Sequence, residues 1–482
     1  MTPAHGTSRT PWAPPTYAAL KGRSASPMLA IGFLGFCFYL FAFYSGILDL
    51  DLRIWRLHLP GIALGTAVGG AVLSGRVVQV LQNRIGVFMA GLSLWLVISI
   101  PGSFWRGGSV EVLTGTWIPA LLLFLVGGSV VTTAAQCRRS LCVLGLATGT
   151  GAMIVTLRGA ASHGRLSLAG SRFANANLLA ITLLLGMPMV WLLAAGPHAG
   201  KVRKVLVGGV LVMMVVALLL TGSREGLIGL AFLCVAAFVR SRAFGKLLIA
   251  ISVTVLALAS VLLLPQSVKS RFGTIFGPES MDIEGAEEAS DWAVTTSAAA
   301  SSQARLGLLK DSLKVTASHP LLGVGPGNFA PYCAEMAKAK GRPGLASWLG
   351  THDTYTQLSS EAGIPALIFY LAVLVASVRA LQRIYRRAER IPGNQARDIA
   401  YMALALHTSF VTFCIMCFFN HMAYGPTMPL MAGITVAMMR TAPDELRRME
   451  EAARVSKAGD DSNSPRAYQS STRASARFEK AR

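Results

Sequence analysis

Residues 28 to 48 read MLAIGFLGFCFYLFAFYSGIL, an apolar run without a single charge. About 20 apolar residues cross ~30 Å of hydrocarbon as an α-helix, so this run alone predicts a membrane span. It is too long for the apolar region of a secretory leader and lacks an A-x-A-like cleavage site. Similar runs recur along the chain, at 57–74, 85–101, 113–131, 141–157, 178–195, 205–221, 225–240, 246–264, 363–381, 399–419 and 426–440. The expected fold is therefore an all-α polytopic membrane protein of about 12 transmembrane helices with one large, partly helical periplasmic loop. Gly-rich runs such as Leu59–Gly75 and Gly145–Gly151, and the prolines Pro188 and Pro365, are compatible with spans because neighbouring helices cover the exposed backbone.

Composition agrees. The 482 residues are 53% hydrophobic and 14% charged, against about 25% charged in soluble domains. The net charge of +21 reads as basic ends of membrane helices, not as a nucleic-acid surface, since no basic aromatic platform accompanies it. Seven cysteines are scattered, mostly in apolar runs. Cys414 and Cys417 form a C-x-x-C within such a run, not the soluble strand-to-helix setting of a redox motif. No metal site, disulfide framework or cofactor is expected.

Between Pro265 and Gly363 lies the only long polar segment between the first and last spans. The chain thus divides into a tail at 1–27 expected to be disordered, nine spans over 28–264, a large loop over 265–362, three spans over 363–440 and a tail at 441–482. A short helix is expected from Asp444 to Lys457. With the N-terminus inside, every inside loop is basic: Arg76/Arg84, Arg138/Arg139, Lys201/Arg203/Lys204, Arg240/Arg242/Lys246 and Arg379/Arg383/Arg386/Arg387. The opposite loops, such as Asp49–Arg56 and Arg106–Glu111, are near neutral. The large loop mixes basic residues with Glu279, Asp282, Glu284, Glu287, Glu288 and Asp291. Positive-inside topology then places both termini in the cytoplasm and the large loop outside. In a Gram-negative cell that is the periplasmic side of the inner membrane.

Against this rule, three outside segments carry arginine. The loop after the fifth span has Arg158, Arg165 and Arg172 and no carboxylate of its own; the turn Thr221-Gly-Ser-Arg-Glu-Gly226 has Arg224; the large loop has Arg305 ahead of an amphipathic helix expected over Leu306–Thr316. Guanidinium is permanently charged and binds phosphate oxygens in bidentate fashion. A helix expected from Gly226 would add backbone N–H groups for an anion. Such arginines also serve lipid phosphates by snorkelling. His352, in Thr351-His-Asp-Thr354, has the residue type for acid–base work near neutral pH. Asp353 beside it is not thereby its partner. His163, His319 and His421 also fall outside, so the residues alone do not single out His352. The run Gly323-Val-Gly-Pro-Gly-Asn328 lacks the strand and soluble βαβ unit of a dinucleotide fold and reads as a rigid turn. No phosphate-binding loop of an ATP-driven pump occurs.

These pieces resemble the O-antigen ligase and polymerase superfamily. The resemblance rests on Gly170-Ser-Arg-Phe-Ala-Asn-Ala-Asn177, on the Ser-Arg-x-Gly turn at 223–226, and on His319-Pro-Leu-Leu-Gly-Val-Gly-Pro-Gly-Asn-Phe329 followed by His352-Asp-Thr-Tyr355 and Glu361-Ala-Gly-Ile-Pro365. It covers roughly residues 165–440. It implies glycosyl transfer from a polyprenyl-diphosphate-linked glycan to lipid A–core or to a growing glycan, without metal or nucleotide. It further implies catalytic roles for His352, Arg224 and Arg305, and diphosphate or glycan binding by Arg172, Arg224, Arg305, Asn177 and Asn328. Asp353 departs from the family's more common Asn. A second reading is a secondary transporter, which the span count would suit. The chain shows no clear internal repeat, however, and its spans are almost free of Asp, Glu and Lys. A membrane scaffold is a third reading and leaves the outside arginines without a purpose.

Overall fold

The computed structural model describes residues 27–51, 57–162, 165–196, 199–263, 268–269, 272, 305–339 and 350–462, the side chains of a few of these excepted. Most of the N-terminal tail, His163, the acidic part of the large loop and the C-terminal tail beyond 462 lie outside the described residues.

Each of the expected spans coincides with a helix: Pro27–Ser45, Leu59–Leu73, Arg84–Ser99, Arg106–Val130 with a π-helical stretch, Ala134–Arg158, Ala176–Ala194, Lys201–Leu220, Arg224–Arg240, Ala243–Leu263, Gly363–Glu389, Asn394–Met416 and Thr427–Ser462. Among the described residues, seven are long and apolar enough to cross a membrane. Leu59–Leu73 and Arg84–Ser99 are apolar but shorter.

Burial ranks the helices. Ala134–Arg158, Ala176–Ala194 and Asn394–Met416 are more than half buried over their apolar windows, whereas little more than a quarter of the Lys201–Leu220 window is buried. The first three form the centre, with Ala176–Ala194 packed on both of the others. Gly363–Glu389 packs on Arg84–Ser99, Asn394–Met416 and Thr427–Ser462. Close approach needs small residues because lipid offers no hydrophobic drive between helices. At Gly145 a methyl group would lie 2.5 Å from the Met189 carbonyl oxygen, so only glycine admits that contact.

Two features were not expected. Residues 160–162 and 165–167 form a short antiparallel hairpin, with Ala160 opposite Ser167. The helix expected at Asp444–Lys457 is not separate: Thr427–Ser462 runs through Pro443 as one element. Arg387 holds this extension through a bidentate contact with Glu450 at 2.9 and 3.0 Å.

Polar contacts segregate as the charge alternation requires. Segments expected on one side bond to one another, as in Arg172–Asp49 and Arg305–Glu225. Those expected on the other side do likewise, as in Arg138–Asp398 and Arg387–Glu450.

Candidate active site at one end of the bundle

The turn at 221–226 is built by its own side chains. Gly222 adopts φ 59, a left-handed conformation that glycine takes without strain. Ser223 caps the helix Arg224–Arg240 by accepting the Gly226 N–H, the usual role of a serine before a first turn. The helix thus starts two residues before the expected Gly226, and the serine already satisfies one of the N–H groups considered for an anion. Arg224, half-buried, is the first helical residue. Glu225 is almost fully buried and accepts a bond from Arg305 Nη1 at 2.8 Å. Its other oxygen, Oε1, has no hydrogen-bond partner among the described residues.

The arginine loop meets this turn through Arg165. Its Nε donates to the Thr221 carbonyl at 2.8 Å, and its Nη2 donates to Asn177 Oδ1. Asn175 caps the helix Ala176–Ala194. Arg172 is engaged elsewhere. It pairs with Asp49 from the first outside loop at 2.9 Å and lies over the Phe43 ring at 4.0 Å. The carboxylate missing from the local sequence is therefore supplied across the bundle.

From the large loop come a helix over 305–318, the helix Phe329–Ala339 and the helix Thr354–Glu361. Gly323, Gly325 and Gly327 all have positive φ, and the run forms the expected turn. The Val324 N–H donates to Ser360 O at 2.9 Å and the Gly325 N–H to Glu361 O at 2.7 Å. A side chain at Gly323 would strike the Glu361 backbone at 2.3 Å. Asn328 is fully buried; its amide donates to Trp105 O, Ser109 Oγ and Val324 O at 3.0–3.2 Å. It joins the turn to Trp105 and to the first turn of the Arg106–Val130 helix, and its Oδ1 has no partner among the described residues.

His352 is half-buried at φ 52, which is uncommon outside glycine. Its ring meets that of His421 edge to face, with centroids 5.2 Å apart. Burial, helped by the nearby charges of His421 and Arg305, pushes its imidazole down from the usual 6.5 to about 4. It is therefore neutral and a proton acceptor at pH 7. Asp353 turns away to cap the helix Thr354–Glu361, accepting the Thr356 N–H at 2.8 Å. Either Asp or Asn caps a helix well, so the Asp at this position serves the helix, not the imidazole. At the other end of that helix Glu361 is buried among donors: Gly327 N–H at 2.9 Å, Tyr424 Oη at 2.8 Å and Phe329 N–H at 3.4 Å. Burial nevertheless raises its carboxyl to about 7, with those donors pulling the other way.

Arg165, Asn177, the 221–226 turn, Glu225, Arg305, His352 and His421 are thus linked, by hydrogen bonds, an ion pair, ring contact or electrostatic field, into one end of the bundle. Glu225 and Glu361 were quoted in the sequence only as parts of motifs; a carboxyl next to an arginine turn, or ahead of an Ala-Gly-Ile, carries no local signal of what it will meet. Among the described residues no three His, Cys, Asp or Glu side chains gather as a metal site would need.

Residues 209–371 match the family model described as O-antigen ligase. The chain carries an O-antigen ligase family segment. The matched range includes the 221–226 turn, Arg305, the glycine turn, His352 and Glu361, but not Asp49, Arg165, Asn177 or His421. No curated protein matches the chain. The segment supports the ligase and polymerase superfamily, and with it a membrane glycosyltransferase acting on lipid-linked glycans.

Proposed function

We propose that the chain is an O-antigen ligase-type enzyme of the bacterial inner membrane. It moves a glycan from a polyprenyl diphosphate to an acceptor hydroxyl at the periplasmic face, the acceptor being lipid A–core. The observation that carries this reading is the Arg305–Glu225 pair at 2.8 Å, which seats a loop arginine beside the Arg224 turn while its charge still reaches His352.

The chemistry follows from the residue types. The acceptor oxygen attacks the anomeric carbon as the bond from that carbon to the diphosphate oxygen breaks. The bonding pair leaves with polyprenyl diphosphate, and the acceptor proton passes to the neutral His352 ring. Direct displacement inverts the anomeric centre. General-base assistance is worth roughly 10²–10⁴-fold. Charge gathers on the departing diphosphate, where Arg224 and Arg305 stabilise it; such terms are usually the largest. A guanidinium has five N–H donors, so a pair through Nη1 still leaves Arg305 capacity for phosphate oxygens. Asn177 orients Arg165 at the rim, and Arg172 and Asn328 act by holding the walls.

The test is transfer by purified protein in vesicles containing a polyprenyl-diphosphate glycan and lipid A–core. Glycan-bearing lipid A–core is the expected product, with a loss of about 10²-fold or more in His352→Ala and in Arg305→Ala. Unchanged rates in both variants would refute the site roles. Elongation of the lipid-linked glycan in place of lipid A–core would make the protein a polymerase.

A further inference from the structure

The turn between Asn394–Met416 and Thr427–Ser462 lies outside the matched range, yet it is clamped against His352. The helix Thr354–Glu361 presents Thr354, Gln357 and Glu361 on one face, at spacings of one and two turns. Each takes hold of the turn. Thr354 Oγ1 donates to the Asn420 carbonyl and accepts the Met422 N–H at 3.0 Å. Gln357 Oε1 accepts the Ala423 N–H at 3.2 Å. Glu361 Oε2 accepts from Tyr424 Oη at 2.8 Å. The Thr354 N–H adds a bond to Cys417 O at 2.8 Å.

Both neighbours of His421 are therefore fixed, while the residue itself is exposed and its ring meets that of His352 edge to face. Gly350 closes the other side, where a methyl group would sit 3.4 Å from His421 Cγ. A side chain that only filled space would be expected to be buried. An exposed residue on an immobilised backbone, in ring contact with the base, is instead placed to meet a ligand that lies alongside the pair. It offers one donor and one acceptor, and a sugar hydroxyl, itself donor and acceptor, can use both.

We propose that His421 is a specificity-determining contact for the acceptor: it hydrogen-bonds an acceptor sugar hydroxyl adjacent to the attacking one, and so brings the attacking oxygen to His352. This rests on the glycosyl-transfer reading above. No bond is made or broken at His421, and the reaction's proton goes to His352. The two rings then meet the acceptor side by side, whereas the arginines serve the donor.

The experiment is steady-state transfer by purified protein in vesicles, varying the lipid A–core acceptor and the polyprenyl-diphosphate donor separately, for wild type, His421→Ala and His421→Asn. One hydrogen bond of this kind corresponds to about threefold to tenfold in binding. The expected result is a rise of that size in acceptor KM for His421→Ala, donor KM within about twofold of wild type, and recovery in His421→Asn, whose amide keeps a donor and an acceptor. The melting temperature should stay put because the residue is exposed. An acceptor KM within about twofold of wild type in His421→Ala overturns the proposal. So does a rise in both KM values accompanied by a lower melting temperature, which would mark His421 as packing. Wild-type protein that transfers nothing overturns the glycosyl-transfer reading itself, and this proposal with it.

Discussion

Removing Arg305 has two separable consequences, one for stability and one for transfer. Glu225 is 2% exposed at its side chain and Arg305 28%. Arg305→Ala therefore strands a buried carboxylate that already lacks a partner for Oε1 among the described residues. Taking one partner from a buried pair costs about 3–5 kcal/mol, most of it the penalty of the charge left behind. Glu225→Gln is milder. The guanidinium keeps over a quarter of its surface in solvent, and the amide oxygen still accepts from Nη1. The expected cost is about 1–2 kcal/mol, the range for weakening a hydrogen bond to a charged group. The double variant leaves no buried charge, so it should be more stable than Arg305→Ala alone despite carrying one more change. Thermal unfolding of detergent-purified protein, followed by tryptophan fluorescence, gives the order: wild type, then Glu225→Gln, then the double variant, with Arg305→Ala lowest. Transfer should follow another order. The double variant regains stability but not rate, because the charge that in the proposed mechanism stabilises the leaving diphosphate is still missing. Stability losses that add to within about 0.5 kcal/mol would show that the two side chains are not coupled. Recovery of transfer in the double variant would show that Arg305 serves only to neutralise Glu225. Either result refutes the reasoning.

Two further outcomes follow. His352 is pushed down to about 4 by burial and by the fields of His421 and Arg305; with the neutral ring as the proposed base, kcat/KM should be lost as pH falls through about 4, and an acid limb near 6.5 would contradict the site. By the same sign, the folded pKa lies below the unfolded one, so the stability contributed by the neutral ring is present above about 6.5 and disappears on the way down to about 4. Gly363 has φ +84, and a methyl group there would lie 1.8 Å from the Leu321 carbonyl oxygen; Gly363→Ala should cost more than the ~1–2 kcal/mol of a left-handed residue alone, and a monodisperse gel-filtration peak with wild-type melting would sink that argument.

The helices were legible because hydrocarbon imposes a simple rule, a long apolar run, and each expected span meets a helix. The hairpin at 160–167 was not, since strands of three residues carry no readable period. Nor was the continuity of Thr427–Ser462 through Pro443, because a proline and a change to charged residues both look like an end. At the site, Arg224 and Arg305 stood out as arginines in segments expected on the outside, whereas His352 was singled out only by the family resemblance. Their partners did not. Asp49 and Arg172 are far apart in the chain, as are Glu225 and Arg305, and only helix packing decides which carboxylate meets which guanidinium. Glu361 was visible as a letter in a motif, but its four donors come from three segments.

The large loop is consequently no separate catalytic module resting on a membrane anchor. Among the described residues, three different loop elements each touch the bundle, as in Arg305 on Glu225, Asn328 on Trp105 and Ser109, and Thr354 on Asn420. Three points fix a body in space. The position of His352 relative to the Arg224 turn is then set by how the helices pack and not by the length of the polar segment between them. The central packing glycines belong to the same geometry. Gly145, deep between Ala134–Arg158 and Ala176–Ala194, admits the Met189 carbonyl and so fixes the helix that carries Asn177, which in turn holds Arg165 against the Thr221 turn. A change in the membrane core thus reaches the chemistry through rigid elements alone, by moving the arginines away from the histidines.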